Sequence, residues 1–213
     1  MGFDLYGLNP QVNKEYPPRY NEIMKKYGTS DGWIDWKKDI PEDVKNEYFE
    51  LKDKYGEDNP GDYFRNNVWW WRPLWHFVCA SCDDILTEKD IRGGSYNDGH
   101  KISKTKAVRI AKRLSKLIAD GTVDKLNAKE ALERAKATAH NELIQEELNE
   151  LKEKVRKLTG NQNIVPSDYP EPYNKEWEEI YGRKKWQADY PFDATNVKEF
   201  AKFCMQSGGF EIC

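Results

Sequence analysis

The stretch from Asp62 to Cys82, DYFRNNVWWWRPLWHFVCASC, holds the densest collection of side chains able to recognise a ligand. Guanidinium groups such as Arg65 and Arg72 hold phosphate bidentately, an indole face such as Trp69 stacks on a planar base, and an amide such as Asn66 reads a base edge. That is the chemistry a nucleotide-shaped ligand needs. On a helical wheel Arg65, Trp69, Arg72 and His76 fall on one stripe, beside a core stripe of Phe64, Val68, Trp71 and Trp75. The same residues also suit a plain core, in which the tryptophans fill space while the arginines stack on them or pair with acids. Pro73 removes a hydrogen bond from the Trp69 carbonyl and disfavours helical backbone at Arg72. The spacing therefore predicts a break near Arg72 and a second helix from Pro73, and the alignment of His76 with Arg65 depends on it.

A second group lies just ahead of a helix expected from about Ile102. Gly93-Gly94-Ser95 and Asn97-Asp98-Gly99-His100-Lys101 put glycine-rich backbone before a helix N-terminus, an arrangement that can wrap an anion. Tyr96 would give a stacking face, Asn97 an amide, and His100 and Lys101 donors. No Walker or dinucleotide-binding spacing is present, and an ordinary pair of turns explains the glycines as well. Between Gly99 and Ala119 stand Lys101, Lys104, Lys106, Arg109, Lys112, Arg113 and Lys116 with no acid among them. Such a basic helix, 101–116, could meet DNA, RNA or a host protein, or be neutralised internally by Glu142, Glu146, Glu147, Glu150 and Glu153.

His76, Cys79 and Cys82 are spaced H-x2-C-x2-C, but Cys204 and Cys213 form no second close pair, so no metal site and no cofactor are predicted. His76, His100 and His140 are the only histidines, and none has a Ser or Cys at a recognisable catalytic spacing. No catalytic residue is nominated. The expectation is a binding protein, with a nucleotide-cleaving enzyme as a further reading.

These residues need elements to hold them. Pro17-Pro18 opens a helix that Gly28 closes, and a second helix runs from Pro41 to about Tyr55, with Gly56 as its stop. Asp83 to His100 reads as turns. A helix over Lys101–Asp120 carries Ala107, Val108, Ala111, Leu114, Leu117 and Ile118 on one face, and Gly121 ends it. Asn127 with Glu130 fits a capping box, opening a helix of about 30 residues that ends at Gly160. Its second half spaces Ile144, Leu148, Leu151, Val155 and Leu158 by fours and threes, a short heptad seam. A homo-oligomer through Ile144, Leu148, Leu151 and Val155 is one use of that seam, and packing inside a helical hairpin is the other. A helix from about Thr195 to Gln206 is followed by Phe210–Cys213 as a small strand, with Phe3–Tyr6 as its partner.

The chain has 213 residues, a net charge of -3 and an aromatic content of 13%. Aromatics at that level argue against disorder and for a core built from large rings. No apolar run approaches the length of a bilayer span, so no membrane partner is expected. The first residues lack the profile of a signal peptide and four cysteines do not make a disulfide scaffold, which points to a cytoplasmic protein. The fold class expected is mainly α: a single helical domain over 1–213, with 101–160 a helical hairpin and at most a minor β-sheet at the termini.

Three segments carry a resemblance: Gly2-Phe3-Asp4-Leu5-Tyr6-Gly7-Leu8-Asn9-Pro10, the run from Gly61 to Trp75, and Ser207-Gly208-Gly209-Phe210-Glu211-Ile212-Cys213. Together they resemble a group of small proteins encoded in bacteriophage genomes. The resemblance implies work in a bacterial host cytoplasm that concerns DNA, host takeover or host defence. A small phosphate-bearing nucleotide used as an immune signal is a ligand the Arg/Trp/Asn cluster would suit, by analogy of chemistry.

Overall fold

A computed structural model describes residues 2–213. The chain divides into two compact units rather than the one expected. The first runs up to Gly121 and takes back Thr195–Cys213, while the second is Thr122–Ala194. Among the described residues there are eight α-helices and one four-stranded sheet, so the chain is mainly α with a small sheet built from its ends.

The first unit is organised by that sheet. Strands β1 (Gly2–Gly7), β2 (Tyr63–Asn67), β3 (His100–Ser103) and β4 (Gly209–Ile212) lie in the order β2-β1-β4-β3, every neighbour antiparallel. Leu5 faces Phe64 on one side and Ile212 on the other, and Ile102 faces Phe210. Alternation puts Phe3, Leu5, Phe64, Ile102, Phe210 and Ile212 on one buried face. Helices α3 (Val68–Ser81), α5 (Lys104–Ala119) and α8 (Ala194–Gln206) belong to the same unit. Their rings close the core: Trp71 stacks on Phe3 at 5.3 Å, and Phe200 meets Phe210 edge-on at 5.8 Å. A core of large rings is what the composition predicted.

Helix α1 (Pro18–Tyr27) has the expected bounds, but α2 (Glu42–Asp58) runs on through Gly56. These two bury a cluster of their own around Ile23, Tyr27, Ile34, Ile40 and Tyr48. Three further expectations are corrected. Residues 63–67 form a strand, and α3 starts at Val68 because the Asn67 side chain accepts from the amides of Trp69 and Trp70 at 3.0 and 3.1 Å. Pro73 then sits inside α3 without ending it: the bond it removes lies near the capped end, and the helix buries Trp71, Leu74, Trp75, Phe77 and Val78. Within the expected turn region lies α4 (Glu88–Gly93), and Lys101–Ser103 pair in β3 before α5 begins after its cap, Ser103.

The apolar face of α5 (Ala107, Ile110, Ala111, Leu114) is covered within its own unit, by β4, β3 and α3. In the second unit, α6 (Thr122–Thr159) is one uninterrupted helix, so Asn127 is an interior residue and not a cap. Its side-chain oxygen instead accepts from the Ala194 amide at 3.1 Å. Leu151 and Val155 are buried with Ile164 and Tyr169, against which Tyr173, Trp177 and Ile180 of α7 (Tyr173–Gly182) pack. Ile144 and Leu148 are buried too, at 3% and 5% exposure. The seam read as an oligomer contact is therefore internal packing, with only Leu158 of the five left exposed. The two faces expected to cover each other in a hairpin are each covered inside their own unit.

Candidate functional site

The strand at β2 decides the fate of half the predicted cluster. Successive residues on a strand point to opposite faces, so Arg65 and Asn66 part company. Arg65 lies on the open face of the sheet with its Nε 3.4 Å from Asp4, beside the tilted ring pair of Tyr6 and Tyr63. Asn66 points inward, and its amide donates to Asn196 Oδ1 at 3.0 Å; Asn196 donates in turn to the Trp70 carbonyl at 3.4 Å. Asn66 is therefore a structural link between β2, α3 and α8. Trp69 is half-exposed in the first turn of α3 and lines neither of the concavities described below. The stripe joining Arg65 to His76 does not exist, because it assumed helix where the chain is extended.

Further along α3 the predicted stripe survives. Arg72, His76 and Cys79 follow one another at spacings of four and three and line a concavity of about 350 Å³. Trp71 and Trp75 form its floor, and Ile91, Ser95 and Tyr96 its far wall. The indole of Trp75 donates to the Ile91 carbonyl at 3.1 Å and that of Trp71 to the Gly94 carbonyl at 2.7 Å, fixing the end of α4 against α3.

Gly93 and Gly94 serve that packing and are no anion-wrapping loop. A Cβ on Gly94 would stand 2.1 Å from the Trp75 ring, and one on Gly93 2.2 Å from Cγ of His100. Both positions have to be glycine so that two rings can press on the backbone.

Beyond Tyr96 is a second, wider concavity of about 700 Å³, lined by Lys89, Arg92, Tyr96, Asp98 and His100. Tyr96, which is 57% exposed, lines both hollows. Lys89 and Arg92 take part in no ion pair among the described residues, which leaves two cations facing one acid, Asp98. Of the eight residues nominated from sequence, Arg72, Tyr96 and His100 meet at this double hollow. Asn97 donates to the Gly2 carbonyl at 3.1 Å, and Lys101 stands 3.6 Å from Glu211.

Sequence reasoning missed the residue that holds the site together. Asp90 is buried, and its carboxylate accepts from the Thr87 amide at 2.9 Å, the Thr87 hydroxyl at 2.6 Å and the Lys106 ammonium. His100 Nε2 lies 3.1 Å from its other oxygen. Burial alone would raise the Asp90 carboxyl, but the hydrogen bonds from Lys106, Thr87 and His100 outweigh it and hold the group well below the usual carboxylate range. The His100 ring, held by its Nε2 against the ionised Asp90, forms part of the wall of the cationic hollow. The signal was present: Thr87-x-x-Asp90 is a capping box, and both of its reciprocal bonds form.

The basic helix is largely spoken for. Lys106 pairs with Asp90, while Arg109 and Arg113 lie 3.5 and 2.9 Å from Asp84. The acids facing it within its own unit are Asp84 and Asp90, with Glu211 beside Lys101. Burial pushes the thiols of Cys79 and Cys82 up to about 11, so neither is an activated thiolate. Among the described residues no group of three or more His, Cys, Asp or Glu is placed to hold a metal, and no helix is long and apolar enough to cross a membrane. Compared with known proteins, the chain matches no family model, no curated sequence and no solved structure.

Proposed function

We propose that the protein captures a small phosphate-bearing nucleotide, and that it does so as a phage-encoded binding protein keeping such a signal from a host receptor. The observation that carries this reading is the double hollow at Tyr96. An aromatic pocket floored by Trp71 and Trp75 adjoins a cationic one bearing Lys89 and Arg92. The base of the ligand lies against Trp75 and Tyr96, with Arg72 and His76 at its edge. Phosphate lies against Lys89 and Arg92, beside the ring of His100. Paired stacking and charge of this kind favour a nucleotide over an apolar ligand. The phage assignment rests on the three-segment resemblance alone. Tight binding through a preformed pocket suits sequestration.

The test incubates the protein with a panel of nucleotides, separates it from free ligand, denatures it and identifies what is released. Intact ligand supports capture, and a cleaved product replaces it with an enzyme in which His100 moves a proton. No retention across a broad panel refutes both. Lys89→Ala and Arg92→Ala should each weaken retention about tenfold or more, as loss of a charge-assisted phosphate bond does, without changing the melting temperature.

A further inference from the structure

The second unit carries a hollow of its own, about 420 Å³ in volume, between α6 and the segment 181–189. Hydrogen bonds fix its wall, since α6 buries only Ala137 between Val123 and Ile144. The Asn141 side chain donates to the Lys185 carbonyl at 2.9 Å and accepts from the Lys185 amide at 2.8 Å. His140 Nε2 donates to the Arg183 carbonyl at 3.0 Å, and Arg134 Nε to the Ala188 carbonyl at 3.2 Å. Trp186 is held between these staples and is still 60% exposed.

Arg134, Glu142, Lys185 and Asp189 all line this hollow, yet none makes an ion pair among the described residues. Glu133 feels the Lys185 charge but pairs with Lys136. Lys184, the fifth charged group, is committed to Gln145 Oε1 at 2.7 Å and to the Tyr181 ring. The Asn141 staple sets Glu142, Lys185 and Trp186 at one end of the hollow. Arg134 and Asp189 stand at the other, seven residues along α6 and so about 10 Å away. Each end offers one cation and one acid.

We infer that this hollow binds an α-amino acid with an aromatic side chain, its carboxylate on Lys185, its ammonium on Glu142 and its ring against Trp186. A ligand of one sign is attracted by one member of each pair and repelled by the other, whereas a zwitterion satisfies both. A nucleotide fits poorly for that reason, because its phosphate would meet a carboxylate at either end. The exposed indole gives a planar side chain a face to stack on. The site lies wholly within the second unit and does not depend on the nucleotide reading.

The test titrates the full chain with L-phenylalanine, followed by saturation-transfer NMR. N-acetyl-L-phenylalanine lacks the ammonium, L-phenylalanine amide lacks the carboxylate and L-alanine lacks the ring; these three and AMP serve as comparisons. The expected result is saturable binding of L-phenylalanine, about tenfold weaker for each of the comparisons. Glu142→Gln and Lys185→Gln should each weaken it about tenfold as well. Both are surface positions, and unchanged circular dichroism verifies folding. Three results overturn the inference. The first is no L-phenylalanine binding up to about 10 mM. The second is N-acetyl-L-phenylalanine or AMP binding as well as the free amino acid, which makes the hollow an anion site. The third is wild-type affinity in both variants.

Discussion

Replacing Asp90 with Asn tests the central structural claim, that one buried carboxylate fastens α4, β3 and α5 around the site. Asn keeps the size and can still accept from Thr87, so the capping box is largely preserved. What is lost is the charge facing Lys106 and His100. A hydrogen bond to a charged group contributes about 1.5–3 kcal/mol. Lys106 is 28% exposed and can turn to water, which reduces its share, whereas His100 is only 13% exposed. The expected destabilisation is about 2–3 kcal/mol, read as a lower urea midpoint at unchanged slope by tryptophan fluorescence.

The pH dependence sharpens the test. The folded-state pKa of Asp90 is depressed, so its stabilisation is fully present above the unfolded value of about 4 and is lost as pH falls toward the folded one. The gap between wild type and Asp90→Asn should be constant from about pH 6 to 5 and shrink steadily below about pH 4. A gap under 0.5 kcal/mol at pH 6, or one that widens in acid, would show that Asp90 is not the fastening described.

Other substitutions separate packing from display. Gly94→Ala should destabilise the first unit by about 1–3 kcal/mol and alter tryptophan emission, because the new methyl group would overlap the Trp75 ring. Asn66→Ala should cost about 1–2 kcal/mol in chemical denaturation by removing the hydrogen bond to Asn196 Oδ1, whereas Arg65→Ala should stay within about 0.5 kcal/mol as an exposed pair; equal effects would contradict their placement on opposite faces. Leu148→Glu should melt the second unit at lower temperature without changing the mass seen by light scattering, since that side chain is buried within the chain.

Much of this architecture was legible where a local rule has no competitor. Pro17-Pro18 and Gly28 bracket α1, Gly121 at φ +77° ends α5, and the apolar ends of the chain pair as β1 and β4. The Trp-rich stretch misled because Phe64, Val68, Trp71 and Trp75 have helical spacing whether or not the first of them is helical. The Asn67 cap, which settles the boundary, looked like one more polar residue. Arg72 and His76 remained neighbours because both lie beyond that boundary, and Arg65 did not because it lies before it. Lys89 and Arg92 were invisible for another reason: their importance comes from α4 meeting β3 and α3, a long-range contact that no spacing encodes, and the Thr87–Asp90 spacing marks Asp90 only as a cap. Asn127 failed as a cap because a competing start, immediately after Gly121, leaves no room for a link.

The return of the chain at Ala194 bears on the order of assembly. Its amide reaches Asn127, some 67 residues earlier, so the second unit ties its own exit to its own entrance. That unit is continuous in sequence and can complete itself while the rest of the polypeptide is still being made. The sheet cannot, because β1 sits between β2 and β4, and β4 follows the whole second unit in the sequence. Until β4 emerges, β1 offers one unpaired edge, an adhesive surface held open while the second unit is made. Ribosome-bound chains cut short at residue 195 should accordingly protect α6 amides from hydrogen exchange but leave those of Asp4 and Leu8, which donate to the carbonyls of Cys213 and Gly209, unprotected.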